Sequence, residues 1–162
     1  MLFRSVNFSQ KKFDPVNLAE REHFQIHRNR NADDSFISKP IFSRLNNRWS
    51  FVVTRRLGKA NGSFGGMLGV AVDPFYFSRF YARVVLGSGS TVALTGNDGI
   101  IRSRIFGDDM SVGQDVSGGA AFKEYGKAPS GTLTATSATD GLRRIFAFHH
   151  VQGYPLTVSV GV

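Results

Sequence analysis

His23 and His27 stand four residues apart in a segment with helical character, Leu18 to about Arg28, so their imidazoles share one helix face. Two imidazoles at that spacing can contribute to a divalent metal site, but four-coordinate zinc needs at least a third protein ligand. The sequence fixes none, and the plainer reading makes them a pocket wall or a partly exposed helix face. Arg21 and Phe24 lie on the same helix, and Lys39, Arg44 and Trp49 follow on the strands beyond it. Arginine presents a planar fork of donors that matches a carboxylate or phosphate. An aromatic neighbour shields such a bond from water or stacks on the ligand. Arg21, His23, Phe24, His27, Lys39, Arg44 and Trp49 therefore form the candidate ligand-binding set. The alternative is that Trp49 is core and the arginines are surface.

No catalytic residue is expected. There is no GxSxG elbow, no phosphate-loop lysine and no HExxH pair. Gly65-Gly66 and Gly118-Gly119 lack the spacing and helix context of phosphate loops. His149 and His150 are neighbours on a strand and point to opposite faces, so one ion cannot simply take both. Asp33-Asp34 and Asp108-Asp109 read as solvated loop acids. Cysteine is absent, which excludes disulfides, cysteine-ligated zinc and thiol nucleophiles. No metal and no cofactor is expected.

These groups must be positioned by a chain of 162 residues, room for one medium domain or two small ones. Asn17 and Glu20 have capping-box spacing ahead of the histidine helix. After the polar stretch Asn29–Ser35, strand signals dominate. Phe36–Pro40 is a short strand ended by a proline that cannot donate to a ladder. Trp49–Thr54 is rich in aromatic and β-branched residues, Asn61-Gly62 marks a hairpin, and Met67–Val72 returns. Asp73-Pro74 opens a short helix whose aromatics, Phe75 to Tyr81, read as core and as the seam where one unit ends. The second half predicts a hairpin from Thr91–Thr95 through Asn97-Asp98-Gly99 to Ile100–Ile105. A short helix or turn at Gly118–Tyr125 comes next. Strands at Gly131–Thr136, Arg144–His149 and Leu156–Val162 follow, with turns at Asp140-Gly141 and Gly153–Pro155. Each half ends on an aromatic-rich strand, a glycine-centred turn and an apolar return strand. That repeat predicts two αβ units, 1–82 and 83–162.

The net charge is +8. Residues 1–82 carry 13 Lys/Arg against 6 Asp/Glu (+7), and residues 83–162 carry 7 against 6 (+1). A basic half invites a nucleic-acid reading. The other readings are a solvated basic surface and a pocket for an anionic small molecule. The cations are scattered over helix, loop and strand without a run of five, which makes nucleic acid the weak reading. The sequence has no 18-residue apolar run that could span a bilayer, and Met1–Gln10 lacks the apolar core of a signal peptide.

Several short motifs occur in order: Arg21-Glu-His-Phe24 with His27, Phe36-Ile-Ser-Lys-Pro40, Arg48-Trp-Ser50, Thr54-Arg-Arg-Leu57, Gly62-Ser-Phe64, and Asp73-Pro-Phe-Tyr-Phe77 with Phe80-Tyr81. Asn97-Asp-Gly99, Val112-Gly113, Ser130-Gly131, Asp140-Gly141 and Tyr154-Pro-Leu156 continue the series. Together they resemble the double Cache, or tandem PAS-like, sensor domains found outside the membrane in bacterial diguanylate cyclases and histidine kinases. The resemblance implies an α+β fold of two PAS-like modules, each an antiparallel sheet flanked by short helices. Residues 1–82 would be the membrane-distal module with the ligand site, and residues 83–162 the membrane-proximal one. The long N-terminal helix of such domains is missing, so the chain reads as a fragment or a truncated gene product. In the amino-acid-binding branch the helix carries an Arg-x-Trp-Tyr pattern, matched here by Arg21, His23 and Phe24, and an Asp in the last distal strand. Ala71 stands at that Asp position, and Asp73 lies two residues later.

The resemblance thus implies a periplasmic sensor, no enzyme, with a small organic acid or other anion as ligand, a membrane-anchored parent protein and room for a homodimer. A basic nucleic-acid-binding protein, or a degenerate module serving only in dimerisation, is the alternative.

Overall fold

In the computed structural model the described residues are 17–44, 47–83, 87 and 89–162. The chain divides into two compact units, residues 1–72 and 73–162.

In the first unit, α1 (Glu22–Asn29) precedes β1 (Ser35–Ile37), β2 (Ile41–Ser43), β3 (Arg48–Gly58) and β4 (Phe64–Val72). Strand β3 is the hub: β1, β2 and β4 all pair with it antiparallel. β1 and β2 run along β3 as one broken strand, interrupted at Ser38–Pro40. Pro40 has no N–H to give, and at the break Ser38 fills in. Its amide donates to Val52 O and its hydroxyl accepts from Val52 N, both at 2.9 Å. The β3–β4 hairpin closes at Asn61-Gly62, where Gly62 adopts φ +78°, a conformation cheap only for glycine.

The helix starts later than the capping signal predicts. Asn17 Oδ1 accepts from Ala19 N, closing a turn, while the residue at the N-cap position is Arg21, which makes no side-chain cap. Glu20 is occupied by Arg44 instead.

The second unit opens with α2 (Pro74–Tyr81), followed by β5 (Thr91–Gly96), β6 (Ile101–Phe106), β7 (Asp109–Ser111), α3 (Ala120–Tyr125), β8 (Ser130–Thr136), β9 (Arg143–His150) and β10 (Leu156–Gly161). The six strands form one antiparallel sheet in the order β7-β6-β5-β10-β9-β8. β5 and β10 lie at its centre and β5 is buried along its whole length. Helix α2 packs on β6, and α3 packs on β8.

Two expectations change here. The division falls at 72/73 rather than 82/83, because α2 joins the second unit. Its Asp73 caps the first turn by accepting from Phe75 N, with proline at the first helical position. The aromatics of that helix are also not its buried face. Tyr76 and Phe80 are 64% and 57% exposed, whereas Ser78 is wholly buried. The contact with β6 is made by small hydroxyls: Ser78 Oγ bonds Ser103 Oγ at 2.8 Å, and Ser103 Oγ donates to Pro74 O at 2.7 Å. Small side chains let the helix backbone approach the strand, which leaves its large rings to point elsewhere.

Asp109, read as a loop acid, is the first residue of β7. Gly99 in the β5–β6 turn has φ +74°, and a Cβ there would lie 2.5 Å from Ser117 Cβ, so both backbone angle and space demand glycine.

Candidate functional site

In the first unit α1 lies over the face of β3 that carries Thr54 and Arg56. His27 Nε2 and Thr54 Oγ1 are 2.9 Å apart, and Thr54 Oγ1 also reaches Phe36 O at 3.3 Å. Since Thr54 has a single proton, donating it to the carbonyl of Phe36 leaves the hydroxyl as acceptor for an Nε2–H of His27. The rings of Phe24 and Phe64 meet edge to face with centroids 5.3 Å apart. The Arg56 guanidinium stands over Phe64 at 5.5 Å, and His27 meets Phe36 edge to face.

Of the seven residues picked from the sequence, Arg21, His23, Phe24 and His27 come together here. His23, Phe24 and His27 are buried, and Arg21 is half-buried. Burial, with Arg21 and His27 nearby, pushes the His23 pKa below its ordinary value. Burial also lowers that of His27, with Arg56 adding to the effect; the bond to Thr54 and the charge of Asp34 oppose it without cancelling it. Both imidazoles are thus held neutral beside two arginines. Arg21 Nε and Arg56 Nε are each buried without a hydrogen-bond partner. A buried, unbonded donor on a charged group costs on the order of 1–3 kcal/mol.

Lys39, Arg44 and Trp49 are placed apart from this cluster. Lys39 is exposed, and Arg44 pairs with Glu20 at 2.5 Å. Trp49 is 43% exposed and meets Phe42 of β2 edge to face. Strand alternation sets it on the face of β3 opposite Thr54. Arg56 and Thr54 were missed in the sequence. The period-2 offset from Thr54 to Arg56, behind a helix with two histidines, is the signal that could have found them.

Ion pairs engage four of the thirteen cations of the first 82 residues, Arg30–Asp34, Arg44–Glu20, Arg55–Asp33 and Arg79–Asp73, and leave the balance at +7. Asp33 and Asp73 are therefore engaged acids, and Asp73 already serves both Phe75 N and Arg79. Among the described residues, no three or more His, Asp or Glu converge on a metal site, and no helix is long and apolar enough to cross a membrane.

The second unit holds a separate polar core. Asp140 bridges two buried arginines, accepting from Arg104 Nη2 at 2.6 Å and Arg144 Nη1 at 2.7 Å. Both guanidinium groups lie over the Phe106 ring, at 5.4 and 5.0 Å. His150 ties α3 to the sheet. Its Nε2 faces Tyr125 O at 2.7 Å, a carbonyl that only accepts, so Nε2 carries the proton and Nδ1 accepts from Thr157.

The fold recurs in solved structures. The chain aligns with the extracellular domain of rpHK1S-Z16, a protein assigned as a histidine kinase, at 32% identity and a TM-score of 0.84, covering 94% of this chain and 63% of that one. The periplasmic sensory domain of the Campylobacter jejuni chemoreceptor Tlp1 matches at 16% identity and a TM-score of 0.68, over 91% of this chain and 57% of that one. The ligand-binding domain of the Pseudomonas fluorescens chemoreceptor CtaA, solved with L-leucine, matches at 16% identity and a TM-score of 0.63, over 96% and 64%. These last two show the fold alone. The chain thus spans 57–64% of the length of these three solved domains. No curated protein matches the sequence. Residues 74–161, nearly the whole second unit and more than half the chain, match the model of the dCache_1-like histidine kinase sensor domain. The chain therefore belongs to the dCache_1-like family of histidine kinase sensor domains.

Proposed function

We infer that this chain is the extracytoplasmic sensing part of a membrane-anchored bacterial receptor, and that its first unit binds a small anion between α1 and β3. In this reading the two units are the PAS-like modules of a double Cache domain, residues 73–162 being membrane-proximal. The parent protein carries a histidine kinase or diguanylate cyclase output on the other side of the inner membrane. A ligand that prefers one of two conformations shifts the population between them and so passes a signal.

The observation that carries the ligand assignment is the pair of buried Nε–H groups of Arg21 and Arg56, beside two histidines kept neutral. A carboxylate placed there gains charge-assisted bonds from donors that bond no acid already present. An amino acid would also need an acceptor for its ammonium. Ala71 supplies none, and Asp73 is committed to α2 and Arg79. PctB of Pseudomonas aeruginosa was solved with L-Gln and Tlp3 of C. jejuni with L-norvaline, so amino acids are the competing ligand class.

Calorimetry of the chain against matched panels of organic acids and amino acids tests this. Binding of a mono- or dicarboxylate, weakened roughly tenfold or more by Arg21→Gln or Arg56→Gln, is expected. Tight binding of amino acids with no response to any simple organic acid would overturn it.

A further inference from the structure

The second unit contains a cavity of about 50 Å³ between α3 and the sheet. A single water needs roughly 10–15 Å³ on that measure, so the space suits several waters or one organic molecule of a few heavy atoms. Its walls are the rings of Phe122, Tyr125 and Phe146, its floor includes Thr95 and Ser159, and Arg104 reaches it from β6. The Arg104 side chain is only 5% exposed.

Charge decides what the cavity suits. Asp140 is the single carboxylate bonded to both Arg104 and Arg144, whose side chains are 5% and 2% exposed. One negative charge against two positive ones leaves the buried group at +1. Asp109 on β7 also acts on Arg104, through its charge alone and from an exposed position. Arg144 spends its Nε on Gly89 O and its Nη1 on Asp140, and its Nη2 is buried without a partner. Buried charge that is incompletely paired is costly; Arg104 lines the cavity and Arg144 does not, so an anion bound there would offset the excess charge through Arg104. Tyr125 and Ser159 share one hydrogen bond, which uses one of their two hydroxyl protons. The apolar walls would take a short alkyl group.

We propose that this cavity is a second ligand site, separate from the one under α1, and that it takes a two- or three-carbon monocarboxylate with Arg104 as its anchor. The carboxylate faces Arg104, and the methyl or ethyl group packs against Phe122 and Phe146. Because α3 forms one wall, occupancy braces α3 against β8, β9 and β10. The site stands on the geometry of the second unit and does not depend on what binds the first.

The test is an NMR titration of the whole chain with acetate, propionate and the neutral isostere acetamide, following the methyl resonances of Ala93, Thr95 and Ala121. Saturable shifts with acetate or propionate and none with acetamide are expected. Arg104→Gln should weaken the response at least about tenfold. Ala121→Leu, which fills the cavity and leaves the charges alone, should abolish it. Arg21→Gln should leave it unchanged. No saturable shift in the folded wild-type chain overturns the proposal, as does a response that survives Ala121→Leu or disappears in Arg21→Gln. If Arg104→Gln fails to fold, Ala121→Leu and Arg21→Gln decide it alone.

Discussion

Replacing Asp140 by asparagine tests whether the second unit is held by charge as well as by its apolar core. The carboxylate accepts from Arg104 Nη2, Arg144 Nη1 and Leu142 N. An asparagine keeps one carbonyl oxygen, enough for two of these, and turns an NH2 group toward an arginine. The charge of the group rises from +1 to +2, with both guanidinium groups nearly without solvent. Removing one partner of a buried ion pair costs about 3–5 kcal/mol. Because Asp140 keeps 16% side-chain exposure, the lower end applies, about 3 kcal/mol. For a unit of this size that is roughly 12–24 °C in melting temperature.

The assay must resolve the two units. Trp49, the only tryptophan, reports the first by fluorescence, while amide exchange in β5 and β10 reports the second. Asp140→Asn should loosen exchange in β5 and β10 and leave the tryptophan transition in place. Adding Arg144→Met, which removes one of the stranded cations, should return about half of the loss. A loss below about 1 kcal/mol, or a double variant worse by the sum of both changes, would refute the reasoning.

The pH behaviour follows the same geometry. Burial disfavours the charged form of Asp140, but hydrogen bonds from Arg144, Leu142 N and Ser137, with the charge of Arg144, outweigh it and hold its pKa below 3.8. A depressed carboxylate contributes stability that is complete above its unfolded pKa and is lost as pH falls through the folded one.

Four further outcomes are expected. Ser103→Ala removes the bonds from its hydroxyl to Ser78 Oγ and Pro74 O, while Ser78 Oγ keeps Arg104 O, and should cost about 1–3 kcal/mol in urea denaturation, read by amide exchange in β6. Thr54→Val leaves His27 Nε2 without its partner in a buried site, and should cost the first unit a similar 1–3 kcal/mol, read by Trp49 fluorescence. Gly99→Ala meets both a left-handed backbone and Ser117, and should lower the melting temperature of the second unit, whereas Gly118→Ala, with open space around it, should change it little. His23 has its pKa lowered below the ordinary 6.5 by burial first, with Arg21 and His27 adding to it. The unfolded chain then binds the extra proton, so the first unit should lose stability as pH falls below about 6.5. His23→Phe should flatten that slope in a pH series of denaturation curves.

The strand framework was legible because its signals are local. Asn61-Gly62, Asn97-Asp98-Gly99 and Asp140-Gly141 each mark a turn between strands, and the glycines take positive φ. The Asp73-Pro74 start of α2 was legible for the same reason, since an Asx cap and a first-turn proline act within four residues. What that helix buries was not. Its five aromatic positions suggest a ring-lined core, but the choice of Pro74 and Ser78 as the buried face is made by Ser103, 25 residues away. β2 and β7 escaped as well. Each is three residues long and forms only by pairing with a longer strand. Of the ligand-binding set, His23, Phe24 and His27 on α1, with Arg21 at its N-cap, could be grouped by spacing. Lys39, Arg44 and Trp49 could not, because the face each strand residue takes depends on register with β3. Arg104, Arg144 and Asp140 were invisible as a cluster for the same reason: β6 and β9 are brought together by two strands that lie between them.

The position of β10 in the sheet carries one more consequence, for the order in which the second unit can assemble. Leu156–Gly161 is its last strand in sequence yet sits between β5 and β9, and the β5–β10 pairing joins Thr91 to Gly161 across about seventy residues. While a ribosome is still making this unit, β5–β6–β7 and β8–β9 can form as two separate hairpin systems, each with a bare apolar edge where β10 belongs. Neither can close until residue 161 has left the exit tunnel. Folding of this unit should therefore wait for β10 and be slow for its size, because its decisive contact is non-local. Deleting Leu156–Gly161 would leave two half-sheets, whereas removing the whole first unit would leave every strand of the second in place.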